Sequence, residues 1–492
     1  MRLIFRACIL LHRYLGIGLC LLVVVWFASG IVMVFANDMP RVTAGMRLTS
    51  LAPIDFSRVR LSLSDALVYA DLSAAPVPAR LALTTVIDRP VYRLGDRTVY
   101  ADSGERLRHI NPSEAQAVAA RVAGVAEART RAAGALREPD QWTMTQRRAL
   151  PLHKVIVDDA QRTVVYVSEY TGEVAMVTTR RSRLLAMAGA IPHWLYLAPL
   201  RVHSAAWRQV VIWTSGLTCL LAVSGLLVGL VRMSCAAIRR GALSPYAGWM
   251  KWHHVMGLLF GALTLTWAFS GLLSMEPWGW ASDDGEIDAR ISRALSGEQL
   301  NPSRFPAFDA AGWHSGRVGA GPLKEVEFAW IQDAPYYILR AGTGADTIVD
   351  AETLAARRAP FPLESFLLRV SQALPGIAIT DTRLLDSYDS YYYAQDMPPV
   401  TGARPLPVVR LTLADESSIY IDPATSRLMG RVTARDRVER WLYNGLHSLD
   451  FSFWYHRPAV WRAGVTTLLS GGLVLGLVGA VIALKRLRPR NA

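Results

Sequence analysis

The sequence predicts an α-helical integral membrane protein with four transmembrane helices, two periplasmic α+β regions and an internal duplication. Three observations lead there. Four apolar runs are each longer than the roughly 20 residues that a bilayer crossing needs. Hydrophobic residues make up 52% of the 492 residues and charged residues only 19%, where a soluble globule usually carries about a quarter charged residues. The excess positive charge sits beside the apolar runs rather than across the chain. Together these argue against a soluble enzyme and against disorder.

In chain order the elements are a stub at 1–10, a first span at 11–36, an external region at 37–200 and a second span at 206–231. A short loop at 232–251 leads to a third span at 252–275. A second external region covers 276–457, a fourth span 459–484 and a tail 485–492. The net charge of +13 could suggest a nucleic-acid partner, but its placement excludes that. Arg2, Arg6 and Arg13, then Arg232, Arg239, Arg240 and Lys251, then Lys485, Arg486, Arg488 and Arg490 flank the spans with no Asp or Glu among them. Without these eleven, the 53 Lys and Arg come close to balancing the 40 Asp and Glu. This is the positive-inside pattern. It places both termini and the short loop in the cytoplasm of a bacterium, and both external regions in the periplasm, in a multi-pass inner-membrane protein. The first run is too long for a signal-peptide core and has a counterpart in the third run, so it is expected to be retained.

Cys8, Cys20, Cys219 and Cys235 lie in spans or on the cytoplasmic side, so no disulfide framework is expected in the external regions.

The duplication shows in aligned residues. A constant offset matches His12, Gly16, Trp26 and Ser29-Gly30 in the first run with His253, Gly257, Trp267 and Ser270-Gly271 in the third. His193 and Trp207 before the second run are spaced as His447 and Trp461 are before the fourth. Within the external regions, alternating apolar stretches run into acidic and small residues at Val99–Gly104, Val165–Gly172, Ile348–Thr353 and Ile419–Ser426. Period-two alternation closed by such punctuation reads as strand then turn. Leu63-Ser64-Asp65-Ala66-Leu67 reads as a helix start capped by Ser64 or Asp65. Helix followed by antiparallel strands gives small α+β modules, about two per external region.

Seven of the ten histidines flank the spans: His12, His193, His203, His253, His254, His447 and His456. Singly, each reads as an interfacial polar residue. As a set, the duplication makes His12 and His253 equivalent, and His193 and His447 equivalent. Paired imidazoles on neighbouring helices are what a b-type haem requires, one nitrogen on each face of the iron. Gly16 and Gly257, one turn after His12 and His253, would leave room for a macrocycle, or would serve close helix packing. Zinc fits less well, because no carboxylate or thiolate joins the histidines. His203 and His456 fall one residue out of step, and His254 aligns with Arg13, so these three rank lower.

The Leu11-His12-Arg13 opening with Trp26 and Ser29-Gly30, Ile191–Tyr196, Lys251–His254 with Ser270-Gly271, and Arg440–Phe451 resemble the PepSY-associated transmembrane proteins, a family that includes inner-membrane proteins linked to iron uptake. The resemblance runs over nearly the whole chain. It implies PepSY-like periplasmic regions and, from members with an assigned activity, a ferric-siderophore reductase holding b haem, two haems being expected. It carries over His12, His193, His253 and His447 as iron ligands and cofactor-binding residues. Electrons would cross the bilayer from a separate donor, a quinol or a cytoplasmic reductase, since no GxGxxG or Walker A pattern is present. The alternative is a non-enzymatic, membrane-anchored PepSY module that binds or inhibits a periplasmic protein. A transporter ranks last, because no Asp, Glu, Lys or Arg sits deep in a span. The Asp386–Tyr393 cluster reads as a strand with aromatic cross-strand pairs, or as part of an external ligand surface.

Overall fold

The computed structural model describes residues 2–36, 39–73, 78, 80–240, 244–279, 285–297, 299–308, 322–342, 346–393, 404–455 and 457–487; side chains at 234–240, 452 and 455 are outside the description. His314, His456, Arg488 and Arg490 lie outside these residues, as does the side chain of Cys235.

The principal elements are α1 (Arg2–Phe35), α2 (Leu63–Tyr69), β1 (Leu81–Val86), β2 (Arg89–Leu94), β3 (Arg97–Tyr100), α3 (Pro112–Ala123), β4 (Thr130–Leu136), β5 (Leu152–Val157), β6 (Val164–Ser168) and β7 (Val174–Thr178). There follow α4 (Ser204–Arg240), α5 (Gly248–Leu273), α6 (Gly285–Ser296), β8 (Glu325–Ile331), β9 (Ala334–Arg340), β10 (Thr347–Asp350), α7 (Leu363–Ala373), β11 (Ile379–Leu385), β12 (Val408–Leu413), β13 (Ser418–Ile421), β14 (Leu428–Val432) and α8 (Pro458–Leu487). Two compact units result, one from Met1–Met39, Arg181–Ser282 and Arg435–Ala492, the other from Pro40–Arg180 and Asp283–Ala434.

The first unit is a bundle of α1, α4, α5 and α8, the four helices long and apolar enough to cross a membrane. Only helices and closed barrels satisfy every backbone group in lipid, and the one proline in these four helices, Pro458, stands at the first position of α8, where its missing N–H breaks no helical hydrogen bond. Neighbours around the bundle run α1, α4, α5, α8, so α1 and α5 stand on a diagonal. Glycines on α8 admit rings from both. A Cβ on Gly472 would lie 2.3 Å from the Phe27 ring of α1, and one on Gly471 would lie 2.2 Å from the Phe260 ring of α5. Such close approach is how helices associate where lipid removes the hydrophobic driving force.

The second unit is α+β. Its sheets run β10-β9-β8-β1-β2-β3, β4-β5-β6-β7 and β11-β12-β13-β14. All four strand-then-turn segments of the sequence reading are strands: β3, β6, β10 and β13. The two external regions are not separate bodies, because β1 pairs antiparallel with β8 (Ala82↔Glu327, Leu83↔Val326) and joins them in one six-stranded sheet. Leu81, Leu83, Tyr92 and Leu94 of one region and Val326, Phe328, Tyr337 and Leu339 of the other share that sheet's core.

Two helix starts in this unit are set by side-chain capping. Asn111 and Glu114 form a capping box ahead of α3, with Pro112 in its first turn. For α2 the cap is Ser62, not Ser64 or Asp65. The Ser62 hydroxyl accepts from the Asp65 N–H, and the Asp65 carboxylate accepts from the Ser62 N–H. The Asp386–Tyr393 segment is a loop beyond β11 rather than a strand. Tyr392 stacks on Tyr420 at 5.0 Å, and Tyr420 donates to Asp389 at 2.9 Å. The aromatic packing expected there is present without the strand.

At the start of β8, a central strand of the six-stranded sheet, lies a charge cluster. The buried Glu325 carboxylate takes Arg47 (Nη2, 2.9 Å), Arg340 (2.7 Å) and Arg80 (3.3 Å). Burial opposes its ionisation, but the Arg47 hydrogen bond and the charges of Arg47, Arg340 and Arg80 hold it at about 2.

Candidate functional site

The bundle brings the four sequence-predicted histidines together in two pairs. His12 on α1 and His253 on α5 face each other across the diagonal, their ring centroids 6.0 Å apart. His193 ends the short helical turn Ala190–His193 and His447 lies in the turn Leu446–Ser448; their centroids are also 6.0 Å apart. Each pair opens on a cavity. The one with His12 and His253 measures about 420 Å³, and the one with His193 and His447 about 490 Å³. Both lie within the range of roughly 300–1,000 Å³ typical of cofactor sites. Val23, Thr218 and Thr264 line both cavities and form a shared wall.

The second pair is held by its turns. The Trp207 indole donates to the Trp194 carbonyl at 2.9 Å, and the Trp461 indole donates to the Ser448 carbonyl at 3.1 Å. Each anchors the residue immediately after a histidine, which gives the equal His-to-Trp spacing a structural reason. A buried Arg440–Asp450 ion pair at 2.8 Å closes the π-helical turn Arg440–Gly445 onto the segment that follows His447. Tyr443 from that turn stacks against the His447 ring at 5.5 Å.

The hydrogen bonds select one ring nitrogen. His12 Nδ1–H donates to the Leu221 carbonyl (3.0 Å), His193 Nδ1–H to the Trp26 carbonyl (3.1 Å), and His447 to the Trp267 carbonyl, with the Ser270 hydroxyl 2.9 Å from its Nδ1. Ser29 lies 3.1 Å from His193 Nδ1 as Ser270 does from His447. Fixing the proton on Nδ1 leaves the Nε2 lone pair for a metal, the arrangement that ligating imidazoles usually show. His253 Nδ1 is buried without a partner. Burial lowers the pKa of His193, and burial followed by the neighbouring His193 lowers that of His447 to about 3. Both imidazoles are therefore neutral near pH 7.

These residues fit a haem iron. With metal–nitrogen bonds of about 2 Å and roughly 1.1 Å from ring centre to nitrogen, two imidazoles on opposite faces of an iron have centroids about 6 Å apart. Among the described residues no group of three or more His, Cys, Asp or Glu gathers, so each pair offers two nitrogens and no anionic ligand.

Of the lower-ranked histidines, His254 and His203 are among the described residues. His254 lines the first cavity, but its Nε2–H donates to the Gly229 carbonyl at 2.9 Å and its ring packs on Tyr246. His203 is exposed and lines neither cavity. Gly16 and Gly257 line the first cavity, as making room for a macrocycle requires. Sequence reasoning missed the glycines behind the histidines. A Cβ on Gly225 of α4 would lie 2.5 Å from His12 Cε1, and one on Gly479 of α8 would lie 3.4 Å from His253 Cε1. It also gave Ser29 and Ser270 no role, although their matched positions were the available signal.

Residues 9–316 match the sequence model of the PepSY-associated TM region. The match takes in α1, α4, α5 and three of the four paired histidines; α8 and His447 lie beyond it. No curated protein matches the chain.

Proposed function

The chain belongs to the PepSY-associated TM family, and from that premise we propose that its bundle is a transmembrane electron-transfer module with two b haems. The observation that carries this reading is the pair of cavities, each with two imidazoles 6.0 Å apart, sharing a wall of three side chains.

Haem supplies a one-electron Fe(III)/Fe(II) couple when bound. The chain's residues do the rest. His12 with His253, and His193 with His447, would hold the iron through Nε2. The Leu221, Trp26 and Trp267 carbonyls keep the proton on Nδ1, and Ser29 and Ser270 stand beside the second pair. Trp26, Trp194, Trp207, Trp267 and Trp461 line the second cavity and exclude water from it. A span of about 30 Å is thereby divided into two short transfers.

The charge asymmetry beside the spans supports an inner-membrane location with both termini in the cytoplasm, so the α+β unit faces the periplasm. The substrate there would be a ferric siderophore. Reduction to Fe(II) weakens hard-oxygen chelation and frees the iron. The donor is a separate quinol or cytoplasmic reductase.

Proteoliposomes test this. With dithionite sealed inside, and a ferric chelate and an Fe(II) indicator outside, Fe(II) should form outside only when haem-loaded protein is present. His12→Ala should stop it. Haem-loaded protein that passes no electrons would overturn the proposal.

A further inference from the structure

Resting on the two-haem reading above, we propose that the His12/His253 cavity binds its macrocycle through the two peripheral carboxylates, held by Arg13, Arg232 and Arg486. The His193/His447 cavity holds its macrocycle without charged partners.

The two cavities match in volume and in paired imidazoles but differ in charge. Arg13, Arg232 and Arg486 line the first, together with no acidic residue. The second is lined by tryptophan, tyrosine, small and apolar side chains with no charged residue. The three arginines have no internal counter-ion to meet. The sequence holds no Asp or Glu at 1–36, 206–275 or 459–492, and no ion pair forms at any of the three among the described residues. Arg13 and Arg486 are exposed, whereas Arg232, at the end of the apolar stretch Ser204–Met233, is partly buried. Its Nε is buried with no hydrogen-bond partner, and its guanidinium packs 5.4 Å from the centre of the Phe5 ring.

A buried guanidinium nitrogen without a partner is costly, and an anionic group brought into the cavity would relieve that cost. Guanidinium offers a planar fork that matches a carboxylate in two parallel hydrogen bonds. Haem carries two carboxylates on one edge. Set against that cluster, they would satisfy the arginines and fix which edge of the ring faces the end of the bundle. Phosphate groups of anionic lipid share this anionic chemistry, and the test separates them from a carboxylate-bearing macrocycle.

Haem-depleted full-length protein in detergent is titrated with haemin and with haemin dimethyl ester, whose carboxylates are masked. Haemin should fill both sites. The ester should fill the His193/His447 site with undiminished affinity and the other at least tenfold more weakly, since a charge-assisted hydrogen bond contributes about 1.5–3 kcal/mol, or roughly tenfold to hundredfold. In the double variant Arg232→Met, Arg486→Met, the haemin affinity of the His12/His253 site should fall to that of the ester, with ester binding unchanged. Unchanged ester binding also shows that the variant is folded. Equal affinity for haemin and ester at both sites, the result expected if the arginines serve only lipid phosphates, overturns the inference and leaves the two-haem reading standing. A variant that weakens both ligands alike also overturns it. Protein that takes up neither porphyrin overturns the two-haem reading and this inference with it.

Discussion

Gly225→Ala is the smallest change that should dislodge a ligand. Gly225 sits on α4 behind the His12 ring, and an added methyl would lie 2.5 Å from Cε1 and 2.8 Å from Nδ1. Ordinary contact begins near 3.4 Å, so the ring must retreat by about 0.9 Å. Metal–ligand distances tolerate only about 0.2 Å, several times less. The alternative, keeping the ring in place and moving α4, is an overpacking that costs about 1–3 kcal/mol and would also stretch the bond from His12 to the Leu221 carbonyl. Either way the His12 side of the first site fails. The assay is the absorption spectrum of the purified variant with and without carbon monoxide. Half of the haem should become high-spin and bind carbon monoxide in the reduced state, or be absent, while the His193/His447 site keeps its low-spin spectrum. Gly18→Ala is the control. It lies on α1 with His12, and an added methyl there meets nothing within 4 Å, so both sites should persist. A Gly225→Ala protein with two unaltered low-spin haems would refute the placement of His12 as a ligand.

Other expectations follow from single contacts. Ser270→Ala removes the hydroxyl 2.9 Å from His447 Nδ1. Loss of such an outer partner typically costs about 10–100-fold in affinity, so haem should leave the second site at lower competitor concentrations; unchanged retention would contradict a role for Ser270 in holding His447. His253→Ala should empty or convert the first site, while His254→Ala should not, because it is the His253 ring that stands 6.0 Å from His12 whereas the His254 ring packs on Tyr246; the reverse pattern in haem content would exchange the two residues. Glu325 should make the α+β unit acid-sensitive. Its folded pKa of about 2 lies below an unfolded value of about 4.3, so its contribution, on the order of 3 kcal/mol, is fully present above the unfolded value and is lost as pH falls toward 2. Hydrogen exchange at β1 and β8 should quicken between pH 5 and pH 3 beyond the intrinsic rate, and far less in Glu325→Gln; equal behaviour in both chains would contradict it.

Much of this was legible because the governing signals are local. Span positions follow from unbroken apolar stretches, although the helices run past them. α1 begins at Arg2 and α4 ends at Arg240, since hydropathy marks the part that suits lipid while the helix continues through arginine-bearing turns. The four strand-then-turn segments were readable from alternation and punctuation. The joining of the two external regions was not. The β1–β8 register pairs Leu83 with Val326, residues far apart in sequence, and neither strand carries a mark of its partner. The Ser62 cap was missed because its reciprocal partner is Asp65 rather than the usual Glu or Gln. At the candidate site, equivalence of His12 with His253 and of His193 with His447 came from aligned sequence, whereas which pairs face each other depends on the order of helices around the bundle. The same is true of Gly225 and Gly479. A glycine in an apolar helix reads as close packing, and only the neighbour's identity turns it into a seat for an imidazole.

The most direct measurement is the haem content and spin state of the purified full-length chain, expressed with ample haem and examined oxidised and dithionite-reduced. The account predicts two b haems per chain, both low-spin, each lost or converted when either histidine of its own pair is replaced by alanine. A colourless chain would contradict it and would leave a membrane-anchored PepSY binding module in its place.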